Sequence, residues 1–218
     1  MIDIQKFIKN QVFELKLWEI EEYFSKINPY IEESKKQIKT KISELEKTLQ
    51  YEVDEIQQEQ IDSDFGSICD EYELTESIVE RNFYYSVIIQ IYTLVELSFN
   101  DLCKYLEYAG HKKVKLADLY GNGVERAINY LKKVCDFEFE DSELKFLKEI
   151  NIIRNIIAHY NGNLKEITNE KQSRKIGTIV EANNGVSKNN EDFIVISQSY
   201  IKNCIAVVRK IFQSLYKK

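Results

Sequence analysis

Breakers of regular structure are scarce in this chain, which holds one proline and seven glycines among 218 residues. Proline removes a backbone donor and glycine loosens the backbone, so a chain with few of either favours long regular elements. The spacing of apolar residues says which kind. Residues 3 to 27 place Ile4, Phe7, Ile8, Val12, Leu15, Ile20 and Phe24 near helical spacing. Asn28-Pro29 is expected to end that helix and start another, since asparagine caps well and proline suits a first helical turn. From Pro29 to about Gln60 the chain is strongly charged, with Ile38, Ile42, Leu45, Leu49, Val53 and Ile56 in a heptad-like row. This reads as an antiparallel helical hairpin that packs on the rest of the protein or on a partner.

Residues 62 to 66, "DSDFG", are expected to break the chain. The most apolar stretch follows, "RNFYYSVIIQIYTLVELSFNDLCKYLEYAG", a long helix for which Gly110 offers a C-cap. "GNG" at 121 to 123 reads as a loop before a short helix from Val124 to about Val134. Asp141 or Ser142 then caps a helix that ends at "YNGN", where Gly162 gives a left-handed stop. The β-branched runs Ile176 to Val180 and Phe193 to Ile196, with Asn, Gly, Ser and Lys between them, suggest a ragged hairpin or loop. A last helix runs from about Ser199 to Tyr216, with Ile201, Ile205, Val208, Ile211, Phe212 and Leu215 on one side. The expected architecture is mainly α. An N-terminal helical hairpin in residues 1–70 would have a packing, partner-binding or regulatory role. A helical domain in residues 71–218 would carry the small irregular β-hairpin or loop insertion before its C-terminal helix. No internal repeat is apparent.

The net charge of -6 argues against a broad basic surface that coats nucleic acid, but leaves room for a small basic pocket. Cys69, Cys103, Cys135 and Cys204 show neither CxxC pairing nor metal-site spacing, and Cys103 and Cys204 fall within apolar helical patterns as core thiols. The first residues, "MIDIQKFIKNQVFELK", are too charged for a signal peptide. No apolar run reaches about eighteen residues, so no membrane span and a reducing cytoplasm are expected. No cofactor is implied.

One segment does not fit simple burial. "INIIRNIIAHYNG", Ile150 to Gly162, is isoleucine-rich yet holds an arginine, two asparagines and one of the chain's two histidines before its closing turn. With Arg154 at zero on a helical wheel, Asn151, Asn155 and His159 fall at roughly 60°, 100° and 140°, around the small Ala158 at roughly 40°. The isoleucines occupy the remaining arc. Arginine is a permanent cation whose planar fork fits phosphate oxygens, and histidine moves protons near neutral pH. Cleavage of a phosphodiester needs that pair, a cation for charge building on phosphorus and a proton shuttle for the attacking or leaving oxygen. Asn155 could orient the imidazole or bind substrate. No carboxylate cluster nearby looks able to hold Mg²⁺, so metal-independent cleavage of RNA by its own 2'-hydroxyl fits better than cleavage of DNA. The same face is also what the solvated side of a surface helix looks like, with His159 a favourable end charge.

"RNIIAH", Arg154 to His159, has the R-N-x-x-x-H form found in HEPN-domain proteins, which this chain resembles over about residues 75 to 216. The long helix containing "YYSVIIQIYTLVELSFNDLCKYL", with its embedded glutamate, and the closing "FIVISQSYIKNCIAVVRKIFQSL" add to the likeness. The resemblance implies a HEPN-like helical bundle that dimerises, with the Arg/His helices of two protomers facing one another across a composite cleft. Many members are metal-independent endoribonucleases of toxin–antitoxin, abortive-infection and antiphage systems. By that likeness Arg154 would stabilise the scissile phosphate, His159 would be general acid or base, and Asn155 would orient or bind. The products would carry a 2',3'-cyclic phosphate and a 5'-hydroxyl, and an antitoxin or sensor protein could be a further partner.

Glu96, with Asn100 one turn on, is a carboxylate within an apolar helix and costly to bury unpaired. It could reach Arg154, and with Asn100 and Asn151 it joins the candidate substrate-binding residues, a structural ion pair being the other reading. His111 is expected at the surface and Tyr160 in the core. Lys165, Lys171, Arg174 and Lys175 could grip RNA or simply be solvated. Against the enzyme stands a helical interaction or scaffold module in which the Arg/Asn/His face is a docking surface.

Overall fold

The computed structural model describes residues 4–48, 55–110, 113–182 and 184–217. Among them the chain is mainly helical, with one small sheet. The helices are α1 (Ile4–Thr48), α2 (Glu55–Glu73), α3 (Arg81–Ala109), α4 (Gly123–Val134), α5 (Asp141–Tyr160), α6 (Glu170–Ala182) and α7 (Gln198–Lys217). A π-helical stretch, Leu74–Glu80, separates α2 from α3. The sheet pairs β1 (Val186–Lys188) with β2 (Ile194–Ile196). The chain forms two compact units, one of residues 1–21 with 85–218 and one of residues 22–84. Leu49, Val53 and His111, singled out above, lie outside the described residues.

In the unit of residues 22–84, α1 does not stop at Asn28-Pro29, and the proline lies inside the helix. Proline within a helix costs about 3 kcal/mol, so something must offset it. Phe24, Ile31 and Ile38 form one buried stripe that continues through the Asn-Pro pair. Asn28 lies on the same stripe, and instead of capping, its Oδ1 accepts a 2.7 Å hydrogen bond from the buried Tyr84 hydroxyl. The "DSDFG" break is likewise absent, since residues 62 to 66 are helical within α2. Ile61 is buried beside them, Gln60 bonds to Asp64 at 2.9 Å, and Gly66 is a helical glycine with nothing near its missing side chain. Lys41 pairs with Glu71 at 3.3 Å and Lys35 with Glu80 at 2.8 Å, so the second half of α1 runs antiparallel to α2 and the π-helical stretch. Burial works against the Lys35 charge, but the Glu80 hydrogen bond and the nearby carboxylates outweigh it and raise the pKa.

In the unit of residues 1–21 and 85–218, the first turns of α1 meet α7. Phe13 stacks on Phe212 with ring centroids 4.3 Å apart, and Phe99 of α3 closes on the same ring at 4.9 Å. Arg209 fastens the contact, reaching Glu14 at 3.3 Å and Glu21 at 2.6 Å. Cys103 and Cys204 are buried core thiols, and burial pushes Cys103 up to about 12, with smaller effects from Cys135 and Glu107. Gly110 follows α3 directly, and its amide donates to the Leu106 carbonyl at 3.0 Å.

The β-branched run Ile176 to Val180 is helical, not a strand. Asn169 caps α6, its Oδ1 accepting from the Gln172 amide at 3.0 Å, and Glu170 pairs with Arg174 one turn later. Ile176 is the buried residue of that helix. The hairpin uses Val186 opposite Ile196 and Lys188 opposite Ile194, and Asn189 Oδ1 accepts from the Phe193 amide to hold its turn. Ile194 and Ile196 are buried and Val195 is exposed, the alternation of a half-buried strand.

The hairpin fixes the end of α5. Asn161 and Gly162 both take positive φ, and the Gly162 carbonyl accepts from the Ile194 amide at 2.9 Å. The Tyr85 hydroxyl lies where a Gly162 side chain would be and donates to the Ile194 carbonyl at 2.6 Å. Gly162→Ala is therefore expected to destabilise the protein by about 2 kcal/mol or more, from left-handed strain and displacement of Tyr85. Pro29→Ala should stabilise it, by up to about 3 kcal/mol. Chemical denaturation of both variants checks the two signs.

Candidate functional site

Helix α5 is capped one or two residues before the position expected from the sequence, Asp141 or Ser142. Glu140 is the N-cap, and its amide donates to Glu143 Oε2 at 3.1 Å. Leu147, Ile150, Ile153, Ile156 and Ile157 are buried along one side of the helix. Ile152, expected with them, is only half-buried. The opposite side carries Asn151, Arg154 and Asn155, each half-buried, and then Ala158 and His159, both exposed.

Arg154 is held from three directions. Its Nη1 donates to Asn155 Oδ1 at 2.8 Å, its Nη2 lies 3.7 Å from Glu96 Oε2, and the guanidinium sits 5.1 Å from the centre of the Tyr92 ring. Asn155 Nδ2 in turn donates to Asn151 Oδ1 at 3.1 Å. Glu96, Arg154, Asn155 and Asn151 thus form one connected polar row from α3 onto α5. Asn155 spends both ends of its amide on this row, so here it orients Arg154 and not the histidine. Asn100, one turn beyond Glu96, is half-buried, and no hydrogen bond joins it to the row. His159 makes no hydrogen bond among the described residues, and its ring meets that of Tyr160 edge-on at 6.5 Å.

The Glu96 carboxylate has a seat that the sequence reading took for a plain loop. A side chain on Gly123, the first residue of α4, would lie 2.6 Å from Glu96 Oε1, and Gly123 has a φ of 49°. Glycine here lets the carboxylate reach the start of α4, where free backbone amides and the helix dipole favour negative charge. Glu96 therefore lies between a helix N-terminus and a guanidinium, which answers how an acid survives in so apolar a helix. Tyr92 was missed as well, although it precedes Glu96 by one turn and that spacing marks a shared face. Burial pushes the Tyr92 phenol up to about 12, with Glu96 adding to the shift and Arg154 opposing it.

The remaining sequence candidates scatter. Lys165 pairs with Asp192 at 3.3 Å and Arg174 with Glu170 at 3.1 Å, while Lys171 and Lys175 are exposed. Tyr160 is half-buried rather than core, its hydroxyl 3.4 Å from Gln172 Oε1. Among the described residues no three His, Cys, Asp or Glu side chains converge as a metal site would require, and no helix is long and apolar enough to cross a membrane.

Comparison with protein-family models, curated proteins and solved structures finds no match to this chain. The Arg154 and Glu96 side chains are 28% and 33% exposed, so solvent screens their attraction. A double-mutant cycle of Arg154→Gln and Glu96→Gln should give a coupling of about 0.5–1 kcal/mol that shrinks with added salt. A coupling of zero at low salt would remove the ion pair from the account.

Proposed function

We propose that the chain is a metal-independent endoribonuclease of the HEPN type, acting in a bacterial defence or toxin–antitoxin system. The observation that carries this reading is the division of labour on α5. A permanent cation is held in place by a carboxylate, an aromatic ring and an amide. One turn and a half further on stands an exposed imidazole with no hydrogen bond among the described residues, free to take and give a proton.

The chemistry follows from those two groups. The 2'-oxygen of RNA attacks the adjacent phosphorus as its proton passes to a base. The bond to the 5'-oxygen breaks as that oxygen receives a proton, leaving a 2',3'-cyclic phosphate and a 5'-hydroxyl. Charge gathers on the non-bridging oxygens, where Arg154 offers a planar, bidentate donor. Proton removal and proton delivery fall on opposite sides of the phosphorus, and one His159 serves one side. A second copy of the chain, with its α5 facing the first, supplies the other imidazole and makes the site composite. Glu96 holds the guanidinium until a phosphate competes for it, and Asn151 and Asn155 keep the approach polar.

One observation favours a second reading, a helical interaction module. Glu96, Tyr92 and Asn155 together satisfy much of the Arg154 guanidinium within one chain, as a structural arginine would be satisfied. The two readings part at His159. Under the proposal, His159→Ala and Arg154→Ala each lower RNA cleavage in the presence of a chelator by about 100-fold or more. His159→Ala should unfold at the wild-type temperature, because the ring is exposed. Mapping the product ends for cyclic phosphate identifies the reaction. Cleavage that persists in both variants would remove the site, and a change of assembly without one in cleavage would favour the module.

A further inference from the structure

Beside the polar row, α4, α5 and α6 enclose a cleft of about 630 Å³. Its floor is apolar, built from Tyr92, Ile128, Leu147, Ile152 and Ile179. Ile128, Ile152 and Ile179 are only half-buried there, so the floor is open to a ligand. Lys132 comes to it from α4, Lys145 and Lys148 from α5, and Lys175 from α6. All four are exposed, and none makes an ion pair among the described residues. Glu125 and Glu149 also line the cleft, but Glu149 Oε1 accepts the Tyr200 hydroxyl at 3.2 Å and is engaged with α7. In a chain of net charge -6, four lysines around one apolar floor reverse the local sign.

The cleft is continuous with the candidate site. Tyr92 lines it and also carries the Arg154 guanidinium over its ring. Asn151 lines it and also accepts the Asn155 amide. Lys148 precedes Arg154 by six residues on the same helix, about 9 Å along its axis. A polyanion with a phosphate at Arg154 would meet the lysines as it continued toward the start of α5.

We infer that this cleft binds the single-stranded RNA flanking the scissile phosphate, an inference that rests on the endoribonuclease reading of the adjoining site. Phosphates lie against the lysines, unstacked bases lie on the apolar floor, and the Asn129 and Asn151 amides face base edges. A duplex would present its backbone and leave the floor unused. A purely acidic peptide such as poly-glutamate would satisfy the lysines but leave the apolar floor uncovered.

The test measures binding of a short labelled single-stranded RNA to the full chain carrying His159→Ala, so that the RNA stays intact. Adding Lys145→Gln, Lys148→Gln and Lys175→Gln is expected to weaken binding at least about tenfold and to flatten its salt dependence. A charge-matched set away from the cleft, Lys104→Gln, Lys113→Gln and Lys202→Gln, should change it by no more than about twofold. Equal losses in both sets, no loss in the first, or equally good competition by poly-glutamate or duplex RNA would overturn the inference. Cleavage is scored separately with His159 intact. Cleavage unchanged by the cleft substitutions removes the cleft and leaves the nuclease. Cleft-dependent binding with no cleavage by the wild type leaves the RNA cleft and removes the nuclease.

Discussion

At Gly162 the missing side chain makes room for the Tyr85 hydroxyl, which donates to the Ile194 carbonyl, while the Gly162 carbonyl accepts the Ile194 amide. One residue thereby joins the end of α5, the buried face of α3 and the edge of the hairpin. A left-handed backbone alone could be had from asparagine at modest cost, as Asn161 shows next door. The space could not, because any side chain would occupy the position of the phenol oxygen. This junction sets where α5 stops, and hence where Arg154 and His159 stand relative to Glu96 on α3.

Above that junction α5 has to satisfy two demands with one helix. Its isoleucines supply apolar area to the core, each worth about 1.5–3 kcal/mol when fully buried. Its polar side must keep a guanidinium beside a carboxylate without sinking either. The solution is shallow burial and shared hydrogen bonding. Glu96 gains the start of α4 and Arg154, and Arg154 gains Tyr92 and Asn155. Gly123 permits the approach, so a glycine with no chemistry of its own, at the first position of α4, decides whether the acid can be there. Such a pair is weak as a source of stability and well suited to releasing its cation to a competing phosphate.

The features legible in the sequence were those that periodicity controls. The long helix of α3, the extents of α4 and α7, the positive-φ stop at Gly162 and the polar face of α5 all follow from spacing and from glycine. Tertiary contacts overruled local signals elsewhere. Asn28-Pro29 has the chemistry of a helix boundary, yet a continuous apolar stripe and the Tyr84 hydrogen bond carry α1 through it. Ile176 to Val180 has the composition of a strand, yet the Asn169 cap and the Glu170–Arg174 pair make it helical. Within the site, Glu96 was readable because a carboxylate in an apolar helix demands a partner. Tyr92 and Gly123 were not, because an aromatic or a glycine carries no such demand. The lysine cleft was hidden for a related reason, its cations being gathered from three helices that only folding brings together.

The central claim is that Arg154 and His159 form half of a phosphate-handling site. It is tested most directly by side-chain NMR of a chain labelled at arginine and histidine. The ligand is a single-stranded RNA whose 2'-oxygens are methylated and cannot attack. The account predicts saturable shifts of both the Arg154 guanidinium and the His159 ring, at the same RNA concentration, as Glu96 gives up its cation. Resonances of Arg154 and His159 that stay in place while RNA binds elsewhere on the chain would contradict it.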